Sequence, residues 1–243
     1  MINKIILSPP FSNIYPNIQN TTRIIGTFTK NKRPGLHRVL TTLRFKNNSI
    51  YNNVGLRNPG IANAKFNRTK IISVSLLEKS DWIYIKNTLI ENRNICGIEF
   101  NISCPNADVQ NISERIIKDA KEINKNVILK LPHNCNIDTI KKYKDFGADF
   151  FHISNTKKTE YGAMSGRKLK KNNLKLIEKI KELNSEIKII GGGGIYDIND
   201  LKEYQNAGAD HFSLSTILLN PLRTYKIINY MSQYQQLNLD HSI

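Results

Sequence analysis

The sequence predicts an α/β protein in which eight parallel strands alternate with helices and close into a single (β/α)8 barrel, or TIM barrel. Short runs rich in Ile, Val and Phe alternate along the chain with amphipathic stretches. Most of these runs have about four to seven residues and are almost wholly apolar, as expected of strands buried on both faces. A length of 243 residues suits one barrel at the small end of its size range, so residues 1–243 are assigned to one domain.

Each predicted element follows from this alternation. The predicted strands are, in order, Ile24–Phe28, Ile50–Val54, Ile71–Ser75, Cys96–Asn101, Val127–Lys130, Phe150–Ser154, Ile187–Gly191 and His211–Ser215. The predicted helices are 35–45, 80–91, 111–124, 136–146, 171–184, 198–207 and 219–234, with a shorter one around 60–66. Consecutive parallel strands need such crossover connections, which are right-handed. An open, doubly wound sheet is the alternative arrangement of the same elements.

Composition excludes several classes of protein. The formal net charge is +16, but the lysines are spread along predicted helix faces, which favours a solvated surface over a nucleic-acid site. No spacing typical of a metal site is present. No run of about 18 apolar residues exists, so no membrane-spanning helix is expected. The first residues do not resemble a secretory signal, and three cysteines are too few for a disulfide framework, so a cytoplasmic location is expected.

The barrel predicts where reactive side chains lie, because barrel sites are built at the C-terminal ends of the strands. The fourth predicted strand ends in Asn101-Ile-Ser-Cys-Pro-Asn106, which sets the thiol of Cys104 between two carboxamides. Carboxamides suit a ligand with ring N–H and C=O groups, and a thiol of lowered pKa can act as a base. Lys130 ends the fifth strand, where partial burial favours an anionic partner. Taken singly, the cysteine could be a small buried residue and the lysine a rim residue with its ammonium in water.

The remaining strand ends carry similar groups. Ser154-Asn-Thr156 ends the sixth strand and precedes the loop Gly162-Ala-Met-Ser-Gly166. The run Gly191–Gly194 ends the seventh strand, and Ser215-Thr216 ends the eighth. In barrels these last two ends commonly bind phosphate through bare backbone N–H groups. Asn52-Asn-Val-Gly-Leu56 ends the second predicted strand, where a plain turn is the alternative explanation.

These motifs together resemble the dihydroorotate dehydrogenase family of FMN-dependent barrels. The resemblance extends from about Ile24 to Pro221, in family order. The most specific motif is Asn101–Asn106. The other motifs that carry it are 52–60, 129–132, 154–156, 162–166, 189–195, 207–210 and 215–216.

The resemblance implies the cofactor, the substrate and the residues that bind them. It implies FMN, with Lys130 beside the pyrimidine ring and the family's flavin contacts at Lys130, Ser165, Gly166, Gly193, Gly194, Ser215 and Thr216. It implies that a dihydroorotate-like or orotate-like substrate is bound by Asn52, Gly55, Leu56, Asn101, Asn106, Asn155 and Thr156. Cys104 matches the catalytic base of the soluble, cysteine-base class, and Lys130 assists catalysis. The implied reaction is oxidation of dihydroorotate to orotate in pyrimidine biosynthesis, with hydride passed to flavin N5, by a cytoplasmic enzyme that could form a homodimer.

Two departures from the family keep alternatives open. Gly26 stands where the family carries a lysine, and the segment after Asn106 is short. A barrel that binds flavin or orotate but has lost turnover is therefore one alternative. A flavoenzyme similar to tRNA dihydrouridine synthases is another, favoured by the basic charge and by the cysteine at a strand end.

Overall fold

The computed structural model describes residues 2–46, 49–104, 107–124, 126–132, 134–154 and 156–240. Its strands are β1 (Ile5–Leu7), β2 (Thr21–Phe28), β3 (Arg44–Lys46), β4 (Ser49–Asn52), β5 (Lys70–Val74), β6 (Gly97–Asn101), β7 (Val127–Lys130), β8 (Phe150–Ile153), β9 (Lys157–Thr159), β10 (Gly162–Gly166), β11 (Lys188–Gly192) and β12 (His211–Leu214). Its helices are α1 (Leu36–Thr42), α2 (Asp81–Glu91), α3 (Glu114–Ile123), α4 (Ile137–Asp145), α5 (Lys170–Leu183), α6 (Ile198–Asn206) and α7 (Pro221–Asp240).

Eight of the strands form a closed barrel, in the order β1-β12-β11-β8-β7-β6-β5-β2. Every pair of neighbours in the barrel is parallel. Strand β1 closes the ring, since it pairs with β12 on one side and with β2 on the other. The predicted (β/α)8 barrel is therefore confirmed, and the open sheet is excluded.

One predicted barrel strand was wrong. Residues Ile50–Val54 overlap β4, which lies outside the barrel in an antiparallel sheet of order β3-β4-β10-β9. The missing barrel strand is β1, whose three residues are too few to show a periodic pattern. A run of apolar residues indicates burial but does not indicate which strand it pairs with, so β4 was mistaken for a barrel strand.

The predicted helices agree closely with α2–α7, within three residues at each start and most ends. The stretch 35–45 differs, because α1 ends at Thr42 and the chain continues as β3. No residue of α1 is buried, so this helix does not pack on the barrel. The short helix expected around 60–66 is a 3-10 turn over Ile61–Asn63. No helix in the described ranges is both long and apolar enough to cross a membrane.

The interior of the barrel is layered. A lower layer is apolar and includes Ile6, Ile24, Ile71, Ile128 and Ile190. Successive side chains of a strand point to opposite faces, so residues two positions further on also face inward. A second, larger apolar cluster packs the outer face of the barrel against the helices. The polar groups of the upper interior therefore lie directly beneath the C-terminal mouth.

Candidate active site

The upper interior of the barrel is polar where most barrels place branched apolar side chains. Ser73 and Lys130 lie two residues beyond Ile71 and Ile128 of the lower apolar layer. His152 lies two residues beyond Phe150, which packs against that layer. Because strand residues two positions apart share a face, all three side chains point inward. Glu99 of β6 joins them and is fully buried, as is His152. Charged groups are costly to bury unless they are paired, so this layer has to be a connected network.

A chain of hydrogen bonds runs through this layer to the mouth. Ser73 Oγ donates to Glu99 Oε1 over 2.7 Å, and His152 Nδ1 lies 2.6 Å from Glu99 Oε2. His152 Nε2 is in turn 2.6 Å from the hydroxyl of Ser154, which directly follows the last residue of β8. We name Glu99, His152 and Ser154 the interior triad. Its hydroxyl end lies at the carboxyl end of the strand and is half-buried.

The charges of the triad follow from its surroundings. Burial alone would raise the pKa of Glu99, but His152, Lys130 and the Ser73 hydroxyl outweigh it and hold that pKa below its ordinary value. Burial lowers the pKa of His152, and the nearby Lys130 lowers it further against the opposing effect of Glu99. At neutral pH the triad therefore contains a carboxylate and a neutral imidazole.

The carboxamide of Asn101 is tied into the same network. Its Nδ2 donates to Thr27 Oγ1 over 2.8 Å, and Thr27 Oγ1 lies 3.0 Å from Ser73 Oγ. Its Oδ1 accepts from the backbone N–H and the hydroxyl of Ser103. These bonds fix the orientation of Asn101 at the mouth, although they also use groups that we expected to bind a ligand.

Lys130 is half-buried at the end of β7, beside Asn101 and His152 in the strand register. In the described ranges no carboxylate lies within 4.0 Å of its ammonium group. An inward-facing cation without an ion pair can bind an anionic or carbonyl-rich ligand, as the sequence led us to expect.

Cys104 is half-buried and lies three residues beyond the end of β6. Thr156 is half-buried immediately before β9. Asn106 and Asn155, both predicted to bind substrate, lie outside the described residues. The described part of the mouth therefore holds the predicted thiol, lysine and Asn101, with the triad beneath them.

The glycine run forms a second part of the site. Gly193 and Gly194 have φ of 86° and 89°, a conformation that side chains disfavour. A Cβ on Gly194 would lie 2.9 Å from Arg167 Cα and 3.1 Å from the carbonyl oxygen of Gly166. Within the described residues, the backbone N–H groups of Gly193, Gly194 and Ser215 donate no hydrogen bond. Backbone N–H groups that are left free in this way can bind a phosphate group.

Side chains from two helices hold the glycine run in place. Tyr204 of α6 is fully buried, and its hydroxyl contacts the carbonyl oxygens of Gly192 and Gly193 at 2.5 and 2.8 Å. Asn173 of α5 donates from Nδ2 to the Gly192 carbonyl over 2.8 Å. With the carbonyl groups bound on the helix side, the run is held in one conformation.

A cavity of about 580 Å³ adjoins this run, and its lining includes Thr216, Arg167, Arg223 and Lys46. The Arg167 guanidinium binds Asp197 and Asp200, at 2.7 and 3.1 Å, and packs on the ring of Tyr196. The cations attract anions to this edge of the barrel. Cys104 and Lys130 do not line this cavity. The mouth therefore has two separate regions, one around Gly193 and Gly194 and the other around Cys104 and Lys130.

The antiparallel sheet brings the other predicted residues to the mouth. Ser165 of β10 donates to the carbonyl of Ile50, and Gly166 ends β10 next to Gly194. Asn52 ends β4, and its Oδ1 accepts from the backbone N–H of Val54.

Gly55 and Leu56 follow in the loop after β4. Gly55 has φ of 73° and Leu56 is buried. Asn58 braces this loop, since its amide bonds the backbone and hydroxyl of Thr29. The loop is therefore anchored to the end of β2 by Asn58, which lies in the motif 52–60 but was assigned no role of its own from the sequence.

The departure at Gly26 has a structural explanation. Gly26 has φ of 117°, and a Cβ there would lie 2.5 Å from the carbonyl oxygen of Ser73. Asn13 binds both its N–H and its carbonyl group. No side chain fits at this position, and the nearby Lys30 points to Asp81 at 3.9 Å.

The comparisons with known proteins agree with this architecture. Residues 11–233 match the family model described as dihydroorotate dehydrogenase. The chain belongs to the dihydroorotate dehydrogenase family. Members of this family are flavoprotein oxidoreductases that act on CH–CH bonds of a small-molecule substrate in pyrimidine biosynthesis. The chain is accordingly an oxidoreductase of that class.

Curated relatives carry the same family name. The chain is 26% identical over 269 residues to dihydroorotate dehydrogenase B (NAD(+)), catalytic subunit, of Malacoplasma penetrans, covering 95% of this chain and 86% of the relative. It is 30% identical over 201 residues to the protein of that name from Shouchella clausii, covering 69% of this chain and 66% of the relative.

Solved structures share the fold. A ligand-free dihydroorotate dehydrogenase from Eimeria tenella superposes with a TM-score of 0.74 at 15% identity, covering 93% of this chain and 82% of that chain. The same enzyme in complex with ferulenol gives a TM-score of 0.69 at 16% identity, covering 90% and 76%. At this identity the likeness concerns the barrel itself.

Sequence reasoning placed Ser154 at a strand end but missed Glu99, His152 and the residues that brace the glycine run. Glu99 and His152 lie within predicted strands and read there as ordinary strand positions. A charged residue inside an otherwise apolar strand was the available signal, because such a residue needs a buried partner.

Proposed function

We propose that the protein is an FMN-dependent dihydroorotate dehydrogenase of the cysteine-base class, with Cys104 as the base. The observation that carries the proposal is the pairing of two regions at one barrel mouth. One region has backbone donors on Gly193, Gly194 and Ser215 that make no hydrogen bond within the described part of the chain. The other has the thiol and an inward lysine that forms no ion pair with any described carboxylate. A phosphate-bearing flavin fits the first, and a cyclic amide substrate fits the second.

Each predicted residue then has a role. Gly193, Gly194, Ser215 and Thr216 would bind the phosphate, while Ser165 and Gly166 line the adjoining strand end. Bound FMN supplies a hydride acceptor, which no side chain of the protein can replace. The ammonium group of Lys130 would lie beside the pyrimidine ring of the flavin, where it would stabilise the negative charge that develops on that ring.

The substrate side follows from the same mouth. Cys104, as thiolate, would take the proton from C5 of dihydroorotate. Asn101, held by Thr27 and Ser103, would present a fixed polar edge to the substrate ring. Asn52, Gly55, Leu56, Asn106, Asn155 and Thr156 would complete the substrate pocket.

The proposal is tested by anaerobic titration. The purified protein should bind FMN, and dihydroorotate should bleach its absorbance near 450 nm. Cys104→Ala should bind FMN with the same affinity as the unmodified protein does. Dihydroorotate should reduce the bound FMN at least about a hundredfold more slowly in this variant, since general-base catalysis contributes rate factors of that order.

Cys135→Ser is the matched control, because Cys135 is another half-buried cysteine in a loop after a barrel strand. It should reduce FMN at the unmodified rate. Protein that takes up no FMN, or FMN-loaded protein that dihydroorotate does not bleach, would contradict the proposal. Flavin binding without reduction would instead indicate the binding barrel that has lost turnover.

The names of the relatives support a proposal for the final oxidant. Because curated relatives are catalytic subunits of NAD(+) enzymes, we infer that NAD(+) receives the electrons through a partner protein. The isolated chain, once reduced, should then be reoxidised by NAD(+) only slowly. Rapid reoxidation by NAD(+) alone would contradict this inference.

A further inference from the structure

The interior triad is placed to set the direction of a hydrogen bond at the ligand site. We propose that Glu99 and His152 are positioning residues that make the Ser154 hydroxyl a hydrogen-bond acceptor for the imide N–H of a bound cyclic imide. The inference rests on the proposed function, since both the flavin pyrimidine ring and orotate contain the group –CO–NH–CO–.

The direction follows from the donors and acceptors in the chain. The carboxylate of Glu99 can only accept, so His152 Nδ1, 2.6 Å away, carries the ring proton. In the neutral ring Nε2 is then an acceptor, so the Ser154 hydroxyl donates to it over 2.6 Å. The only hydroxyl proton of Ser154 is then directed at His152, and both lone pairs of the half-buried hydroxyl oxygen are left to accept from a ligand.

The neighbouring groups complement an imide. The edge of an imide presents an acceptor, a donor and an acceptor in sequence. Lys130, the register partner of His152, supplies a donor at the same mouth as the Ser154 acceptor. On the other side, a Cβ on Gly192 would lie 2.6 Å from the Ser213 carbonyl oxygen and 3.1 Å from Ser154 Cβ, so the strand ends pack closely around Ser154 and limit its movement. Lys130 and Ser154 therefore offer a donor and an acceptor to one edge of an imide ring.

No other titratable group disturbs this arrangement among the described residues. Glu99 of β6 and Lys130 of β7 are the charged groups that act on His152. On the side of β11, His152 is paired with Ile190, which is apolar. The Ser73 hydroxyl occupies the second oxygen of Glu99, which leaves His152 a single acceptor at Nδ1.

The first experiment compares ligands that differ only at the imide nitrogen. Protein without flavin is titrated with FMN and with FMN methylated at N3, and FMN-loaded protein is titrated with orotate and with 3-methylorotate. The unmodified protein should prefer the unmethylated form of at least one pair by about tenfold or more, the effect of one lost hydrogen bond plus an unpaired buried group. Ser154→Ala should bring that preference close to one, and the affected pair identifies the ligand.

Ser213→Ala is the matched control. Ser213 is a buried serine of β12 whose hydroxyl bonds Ser8 at 2.7 Å and not the triad. It should keep the full preference. Equal binding of methylated and unmethylated ligands by the unmodified protein would overturn the proposal, as would a preference that Ser154→Ala leaves intact. Failure of the protein to bind FMN at all would reject the proposed function instead.

A second measurement needs no variant at the ligand site. Nitrogen-15 NMR of the histidine rings at pH 7, with His152 assigned from the spectrum of His152→Gln, reports the tautomer directly. We expect a neutral ring with the proton on Nδ1. A proton on Nε2, or on both nitrogens, would reverse the hydrogen bond to Ser154 and overturn the proposal even where Ser154→Ala fails to fold.

Discussion

Single residues at the mouth are constrained by backbone conformation as well as by the ligand-binding role proposed for them. Gly194 shows this, because its φ of 89° and its contact with Arg167 Cα both exclude a Cβ. We expect Gly194→Ala to lower the free energy of unfolding by about 1–3 kcal/mol, the usual cost of such a backbone conformation. We also expect it to weaken FMN binding more than tenfold, measured by fluorescence titration.

Gly147→Ala separates the two effects. Gly147 has φ of 100°, but the nearest atom to an added Cβ lies 4.0 Å away, and the residue is in the turn after α4. It should lose similar stability and keep normal FMN affinity. If both variants bind FMN normally, Gly194 does not belong to the flavin site.

Buried histidine makes stability depend on pH. The pKa of His152 is lowered by burial, so between that value and about 6.5 the unfolded chain binds a proton that the folded protein does not. The free energy of unfolding should therefore fall as pH falls below about 6.5, by at most about 1.4 kcal/mol per pH unit for this residue. Urea unfolding at pH 5.0–7.5 measures it, and His152→Gln should show a smaller slope.

His211 provides a comparison, because burial lowers its pKa too. His211→Gln should remove the contribution of His211 to the pH dependence of the unfolding free energy and leave the contribution of His152 unchanged. Glu99 contributes at lower pH, since its lowered pKa gives stability that is lost only as pH falls below about 4.5. An identical slope for His152→Gln and the unmodified protein would show that His152 is not held neutral.

At the scale of elements, the barrel depends on its shortest strand. Strand β1 joins β12 to β2, and all three of its residues are buried. Ile6 lies in the lower apolar layer with no exposed surface. We expect Ile6→Ala to lower the free energy of unfolding by about 2–5 kcal/mol, as for large-to-small changes in packed cores. Urea unfolding measures the loss.

Ile14→Ala is the control, since Ile14 is 86% exposed just after the neighbouring turn. It should change stability by less than about 0.5 kcal/mol. Equal effects of the two substitutions would mean that β1 does not close the barrel.

At the scale of the whole molecule, a net charge of +16 opposes compactness. Raising salt from 0.01 to 0.15 M shortens the Debye length from about 30 to about 8 Å, so the melting temperature should rise by a few degrees. Differential scanning calorimetry measures the change. Substituting the exposed Lys175 and Lys179 of α5 by Glu should reduce this rise in melting temperature. A melting temperature that falls as salt is added would instead show that attraction between ion pairs outweighs the repulsion.

Much of the candidate site could be predicted from the sequence, because its residues lie at or just beyond strand ends. Lys130 and Gly193–Gly194 lie at the ends of β7 and β11 as expected, and Asn101 ends β6. The loop at 52–56 was also expected at the mouth, but it reaches the mouth through the antiparallel sheet and not through a barrel strand. Asn58 belongs to the same motif, but its role as the anchor could not be predicted locally, because its partner Thr29 lies 29 positions away along the chain.

The pattern of residues along the chain was sufficient to predict the alternation of buried strands with amphipathic helices, the barrel, and the polar motifs at the strand ends. Periodicity reports burial, which is a local property of each segment. Two features became visible only in the folded protein. Strand β1 closes the ring in place of Ile50–Val54, and Glu99 meets His152, which lies 53 positions further along the chain. Those outcomes depend on which strands become neighbours when the sheet closes, and that choice is made by packing across the whole barrel.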